Sequence, residues 1–196
     1  MEIVFATSNK HKVLEVKEIL KPYGIDVLGL FDIGVKSIDV EENGKTFKEN
    51  ALIKARAVSH YNVYPIIADD SGLEVDFLNK EPGIKTARFA KEKGGHIEAM
   101  QDIMKRINGH DRKARFVCDI ALIYKGKERV FEGVCDGKIA NMISGSNGFG
   151  YDPFFIPDGY DKTFSELGEE TKNKISHRGR ALRKLAEYLK EQTATL

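Results

Sequence analysis

The 196-residue sequence has no tryptophan, two cysteines, five prolines and almost no net charge. It also lacks any apolar run long enough to cross a bilayer, any low-complexity tract and any repeat at solenoid spacing. Cys118 and Cys135 lie in apolar, strand-like stretches without metal-ligand spacing, so they read as buried spectator thiols rather than a disulfide or redox pair. That usage fits a reducing cytoplasm. The formal charge of +1 arises from 31 basic and 30 acidic side chains, so the whole-molecule field does not gather polyanions. Nucleic-acid binding is thereby disfavoured, and any phosphate site has to be local. The opening Met1-Glu2-Ile3-Val4-Phe5 turns polar by Thr7, too short for a signal peptide, and a soluble protein without membrane contact is expected. The first strand-to-helix loop has neither the glycines nor the GK[ST] of a Walker-type nucleotide site.

What is present is a globular balance, 41% hydrophobic and 31% charged. The length suits one large α/β domain or two small lobes sharing a sheet. Ile3-Val4-Phe5-Ala6 predicts a strand, and Thr7-Ser8-Asn9 caps a helix with Val13, Val16 and Leu20 on one face. Pro22-Tyr23-Gly24 stops it, and residues 25–30 resume as a strand. After the acidic, aperiodic Glu41-Glu42-Asn43-Gly44, Thr46-x-x-Glu49 forms a capping box for a helix that turns Phe47, Ala51, Ala55 and Val58 inward. Pro65-Ile66-Ile67-Ala68 predicts a buried strand ending abruptly at Asp69-Asp70-Ser71-Gly72, with β character resuming over 73–77. A helix over 96–107, a strand over 115–124 with a hairpin partner over 129–135, and a last helix from near Ser176 complete a mixed sheet flanked by helices.

Four constellations could carry chemistry. Thr7-Ser8-Asn9-Lys10-His11-Lys12 offers hydroxyls, ammonium groups and a helix N-terminus to a phosphate, or is an ordinary cap with solvated lysines. Asp69-Asp70 before Ser71-Gly72 suits a hard divalent cation, with Glu41 or Glu42 as the second acid; in isolation it equally describes an Asx turn. Phe149-Gly150-Tyr151-Asp152-Pro153 could stack on a base and accept from a purine N1–H, or be turn chemistry. Lys172-Asn173-Lys174-Ile175-Ser176-His177-Arg178 is a basic cluster running into a helix start, where cations are normally disfavoured.

In this order and spacing the four segments, together with Thr46-Phe47-x-Glu49-Asn50-Ala51, Lys54-Ala55-Arg56 and Pro82-Gly83, resemble the inosine/xanthosine triphosphate pyrophosphatase family over essentially the whole chain. The resemblance implies an α/β fold, an elongated mixed sheet flanked by helices, with two lobes and an active-site cleft between them in a single domain over 1–196. It implies a homodimer that hydrolyses ITP, dITP or XTP with Mg²⁺. Residue by residue it assigns Thr7, Ser8, Asn9, Lys10, His11, Lys12 and Lys54 to the triphosphate, and Glu41 and Asp70 to Mg²⁺. Asp70 would also be the base for the attacking water. Ser71 would touch substrate; Phe149, Gly150, Tyr151, Asp152, Lys172, His177 and Arg178 would enclose the base. Ser8 stands where relatives often carry glycine, and the 143–147 loop lacks a proline that many of them have. The Maf-like pyrophosphatases, a non-catalytic nucleotide sensor and a nucleic-acid binder are the alternatives; the SHR and FGYDP segments favour the purine reading.

Overall fold

The computed structural model describes residues 1–60 and 64–194. Its chain forms two compact units: unit 1 takes Met1–Asp70, Cys118–Gly133 and the chain from Arg178 on, and unit 2 takes Ser71–Val117 and Val134–His177.

Strands β1 (Glu2–Phe5), β2 (Asp26–Leu28), β3 (Ile66–Val75), β4 (Lys113–Tyr124), β5 (Lys127–Ile139) and β6 (Phe155–Pro157) form a six-stranded sheet in the order β2-β1-β3-β4-β5-β6. The sheet is mixed: β1 runs parallel to β2 and β3, and β5 antiparallel to β6. In β1, Ile3 and Phe5 join one apolar cluster and Val4 the other, as expected of a strand covered on both faces. The first cluster packs Val16 and Leu20 of α1 (Lys10–Leu20) and Leu182, Leu185 and Leu189 of α7 (His177–Ala194) against Ile67, Cys118 and Ile120. The second seats Ala51, Ala55 and Val58 of α2 (Phe47–Val58) against Ile66, Ala68 and Ala121. The expected mixed sheet with flanking helices is therefore present, and both helices read from capping signals start where those signals lie.

Unit 2 has its own core. Leu73, Val75, Phe116, Phe154, Phe155 and Phe164 pack with Met100 and Ile103 of α4 (His96–Arg106), which follows α3 (Thr86–Lys93). Two short helices, α5 (Phe164–Leu167) and α6 (Glu169–Ile175), precede α7. Helices α3, α5 and α6 and strand β6 are elements that periodicity does not announce, each being about two turns or less, or three residues.

One expectation is overturned. Asp69-Asp70-Ser71-Gly72 does not end a strand: β3 runs unbroken from Ile66 to Val75 through all four residues. Ser-Gly reads as a turn only when the backbone has no better partners. Here β3 lies inside the sheet, between β1 and β4, and its ladder absorbs the polar residues.

Candidate functional site

In unit 1 the loop after β1 is fixed by its own side chains. Thr7 Oγ1 accepts from the Asn9 amide at 3.1 Å, and Asn9 Oδ1 caps α1 by accepting from the Lys12 amide at 3.2 Å. Ser8, Asn9, Lys10 and His11 are exposed, and the first turn of α1 carries no acid. The positive end of the helix is thus left without a carboxylate of its own, a disposition that suits an anion. Lys12 points differently: its Nζ contacts both carboxylate oxygens of Asp69, at 3.1 and 3.0 Å.

Because the Asp pair lies within a strand, its two carboxylates project to opposite faces. Asp69 faces α1 and the start of α7, where Arg178 Nη2 lies 3.0 Å from Oδ2 and Arg178 Nη1 lies 2.9 Å from Glu15. Burial alone would raise the Asp69 pKa; the Lys12 ammonium and the Arg178 guanidinium outweigh it and hold the group well below the usual carboxylate range. Asp70 faces α2, where Lys54 lies 3.8 Å away. There burial dominates, the Glu42 and Asp69 carboxylates reinforce it, Lys54 offsets part, and the Asp70 pKa is pushed up to about 6. Its Oδ2 is buried and has no hydrogen-bond partner among the described residues.

Lys54 also reaches Glu42 at 3.5 Å, so the acid brought beside Asp70 is Glu42, while Glu41 sits in the exposed stretch ahead of it. That stretch is tied to α2: Asn50 Oδ1 accepts from the Gly44 amide at 2.8 Å, and Thr46 Oγ1 caps the helix through the Glu49 amide at 3.1 Å. Glu49 reaches back to the Lys45 amide at 2.6 Å, one residue earlier than a standard capping box, which anchors the acidic loop more firmly.

Unit 2 holds the second set. Asp152 Oδ2 accepts from Lys172 Nζ at 2.8 Å and from the Phe149 amide at 3.0 Å. Lys172 Nζ also stands 4.5 Å from the centroid of the Phe149 ring. Lys172 and Asp152 are both buried, so the pair is a desolvated strut under the aromatic loop. Gly148 permits it: at φ +75°, an added Cβ would lie 2.3 Å from Asp152 Oδ2. Tyr151 is buried, with its hydroxyl donating to the Thr86 carbonyl at 2.9 Å and its ring edge-on to His96. The His177 ring stacks on Phe116, centroids 4.8 Å apart. Gly150 turns at φ +63° in the same loop, and Ser71 follows Asp70 in β3.

The predicted residues therefore fall into two local sets, with Lys12, Lys54, Asp69 and Asp70 in unit 1 and Phe149 to Asp152, Lys172 and His177 in unit 2. The Arg178 guanidinium donates to Asp69 and Glu15. Glu15 and Phe116 are not singled out from sequence as site residues, and the choice between Glu41 and Glu42 is left open there. The signal for Glu15 is an acid at a buried position on the apolar face of α1, one residue before Val16. Nothing local distinguishes Glu42 from Glu41.

Among the described residues no group of three or more His, Cys, Asp or Glu is arranged to hold a metal. Mg²⁺ needs only one or two carboxylates when phosphate oxygens and water complete its shell. A buried, unpartnered Asp70 Oδ2 with an acid nearby fits a cation that arrives with a triphosphate. No helix among the described residues is long and apolar enough to cross a membrane.

Against known proteins, the profile of the Ham1 family matches residues 3–188. The chain is 46% identical over 200 residues to the dITP/XTP pyrophosphatase of Clostridium perfringens, covering 96% of this chain and 97% of that protein. It is 46% identical over 192 residues to the dITP/XTP pyrophosphatase of Bacillus subtilis, covering 96% of each. The solved structure of the Staphylococcus aureus Ham1 protein aligns with a TM-score of 0.85 at 40% identity, covering 98% of this chain and 100% of that one.

Proposed function

The chain belongs to the Ham1 family, and we propose that it is a nucleoside triphosphate pyrophosphatase that hydrolyses non-canonical purine nucleotides such as ITP, dITP and XTP to the monophosphate and pyrophosphate. The observation that carries the mechanism is the divergence of two adjacent carboxyls, one clamped as an anion by Lys12 and Arg178, the other buried with an orphan oxygen.

The phosphate chain is assigned to the Thr7–Lys12 loop and Lys54. Their hydroxyls, amides and ammonium groups complement a polyanion, and Asp69 and Glu15, through Arg178, hold Lys12 and the start of α7 in place. Asp70 takes the proton from the water that attacks the α-phosphorus; its buried, unpartnered Oδ2 supports that role. Asp70 with Glu41 or Glu42 would hold Mg²⁺, which would neutralise charge on the departing pyrophosphate. Ser71 is assigned to substrate contact from its place beside Asp70.

The base is assigned to Phe149, Gly150, Tyr151, Asp152, Lys172 and His177. An aromatic face backed by an ammonium donor suits a 6-keto purine and meets adenine's 6-amino donor with another donor. The buried Asp152–Lys172 pair supports this by fixing the loop before substrate arrives. A homodimer in the cytoplasm completes the proposal; family resemblance and two buried free thiols are in keeping with it.

Pyrophosphate release across ITP, XTP, dITP, GTP, ATP and dTTP, with Mg²⁺ and with chelator, tests the assignment. ITP, XTP and dITP should be consumed with pyrophosphate as the co-product only when Mg²⁺ is present. Release of single phosphate, or equal turnover of ATP, would sink it.

A further inference from the structure

A cavity of about 580 Å³ lies in unit 1 with Thr7, Ser8 and Lys10 of the phosphate loop on one side and Leu14, Phe31 and Lys36 among its other walls. Its size falls within the ~300–1,000 Å³ of small-molecule sites. Phe31 is 89% exposed and Leu14 is 63% exposed. Lys10 and Lys36 are exposed cations at the same cavity. The turn that presents Phe31 is fixed although its ring is not. Asp32 Oδ2 accepts from the Gly29 amide at 2.8 Å, and the Gly34 and Val35 amides donate to the Phe31 and Leu30 carbonyls at 3.0 and 2.9 Å. An aromatic ring on a fixed turn with cations beside it, continuous with a phosphate loop, matches a nucleoside carrying phosphate: the ring stacks on the base and the lysines meet the phosphates.

We propose that this cavity receives a second nucleoside joined to the far end of the substrate's phosphate chain, so that the protein also cleaves dinucleoside polyphosphates bearing a deaminated purine at one end. The inference rests on the phosphate-loop reading given above. With inosine and adenosine joined 5′ to 5′ through three phosphates, the inosine end occupies the base site and the adenosine end the Phe31 cavity. The oxygen of water bonds to the inosine-side α-phosphorus, the bond from that phosphorus to the bridging oxygen breaks, and the water proton passes to Asp70. The products are IMP and ADP, and no further reactant is needed.

The test compares ITP with inosine-triphospho-adenosine on the whole protein with Mg²⁺, separating products by chromatography. The mixed dinucleotide should yield IMP and ADP. Phe31→Ala, at a side chain with little to lose in folding, should lower kcat/KM for the dinucleotide on the order of tenfold, the effect of removing one stacking platform, while leaving ITP constants unchanged. Lys36→Ala should act in the same direction to a smaller extent. Cleavage of ITP without cleavage of the dinucleotide overturns the inference and spares the proposed function, as does an equal effect of Phe31→Ala on both substrates. A lower oligomeric mass for Phe31→Ala by light scattering would assign the cavity to a second copy of this chain and likewise overturn it. If ITP itself is not cleaved, the phosphate-loop reading falls and the inference falls with it.

Discussion

Replacing Asp70 by asparagine should stabilise the protein while stopping its chemistry. Raising a carboxyl from 3.8 to about 6 costs its ionised form about 3 kcal/mol at pH 8. The sign follows from proton uptake. The folded state holds the Asp70 proton more tightly than the unfolded chain does, so this group's destabilisation grows as pH rises from about 4 through 6 and is complete above that. Asparagine keeps the shape and removes the charge. In metal-free buffer at pH 8 the variant should melt ~6–12 °C above wild type, taking about 2–4 °C per kcal/mol at this chain length. At pH 4 the gap should shrink to about 0.5 kcal/mol, because the folded wild-type carboxyl is then neutral as well. Adding Mg²⁺ at pH 8 should raise the melting temperature of wild type and not of the variant. Turnover of ITP should fall by a factor on the order of 10²–10⁴ or more. Calorimetry at the two pH values decides it: a variant that melts below wild type at pH 8, or a gap independent of pH, would refute the account of Asp70 as an uncompensated buried carboxyl.

Lys12→Met removes one of two cations from the buried Asp69 and should cost about 3 kcal/mol, with a raised KM for ITP; adding Asp69→Asn should restore much of the melting temperature and none of the KM. Asp69 itself, held low by its partners, contributes stability that is present above its unfolded pKa of 3.8 and is lost as pH falls below it, opposite in sign to Asp70 and visible as an acid-side loss in wild type that Asp69→Asn lacks. Lys172→Met strands the buried Asp152 carboxylate and loosens the Phe149 loop, so kcat/KM for ITP should fall by about tenfold or more and the preference over ATP should shrink. A steady-state panel on ITP and ATP would show instead an unchanged ratio if the pair only held the fold together.

Much of the architecture was legible because it is written in local signals. The Asn9 and Thr46 caps and the 2-residue alternation through β4 each act over a few residues, and periodicity detects them. The helices α3, α5 and α6 are too short to show a face, and their packing against the unit 2 core is what stabilises them. The Asp-Asp-Ser-Gly run reads as a strand end for a related reason: the decisive partners of Asp69 are Lys12 and Arg178, far away in sequence. The same limit applies to Arg178. The family resemblance assigns it to the base, and only the fold brings Glu15 and Asp69 to its guanidinium as well.

That pairing bears on why two consecutive aspartates serve better than one. Alternation along a strand gives neighbouring carboxyls different surroundings without any insertion or bend. One face can then supply two cations, which keeps Asp69 ionised and fixes α1 and α7 to the sheet. The other supplies a more distant cation, Lys54, whose pull does not offset burial, which leaves Asp70 underneutralised and ready for a divalent ion or a proton. A β-turn at the same four residues would have exposed both side chains to water and given both an ordinary carboxyl pKa. The continuous strand that sequence patterning failed to anticipate is therefore the feature that makes Asp70 chemically distinct, and burial there produces a base that exposed aspartate is too acidic to be.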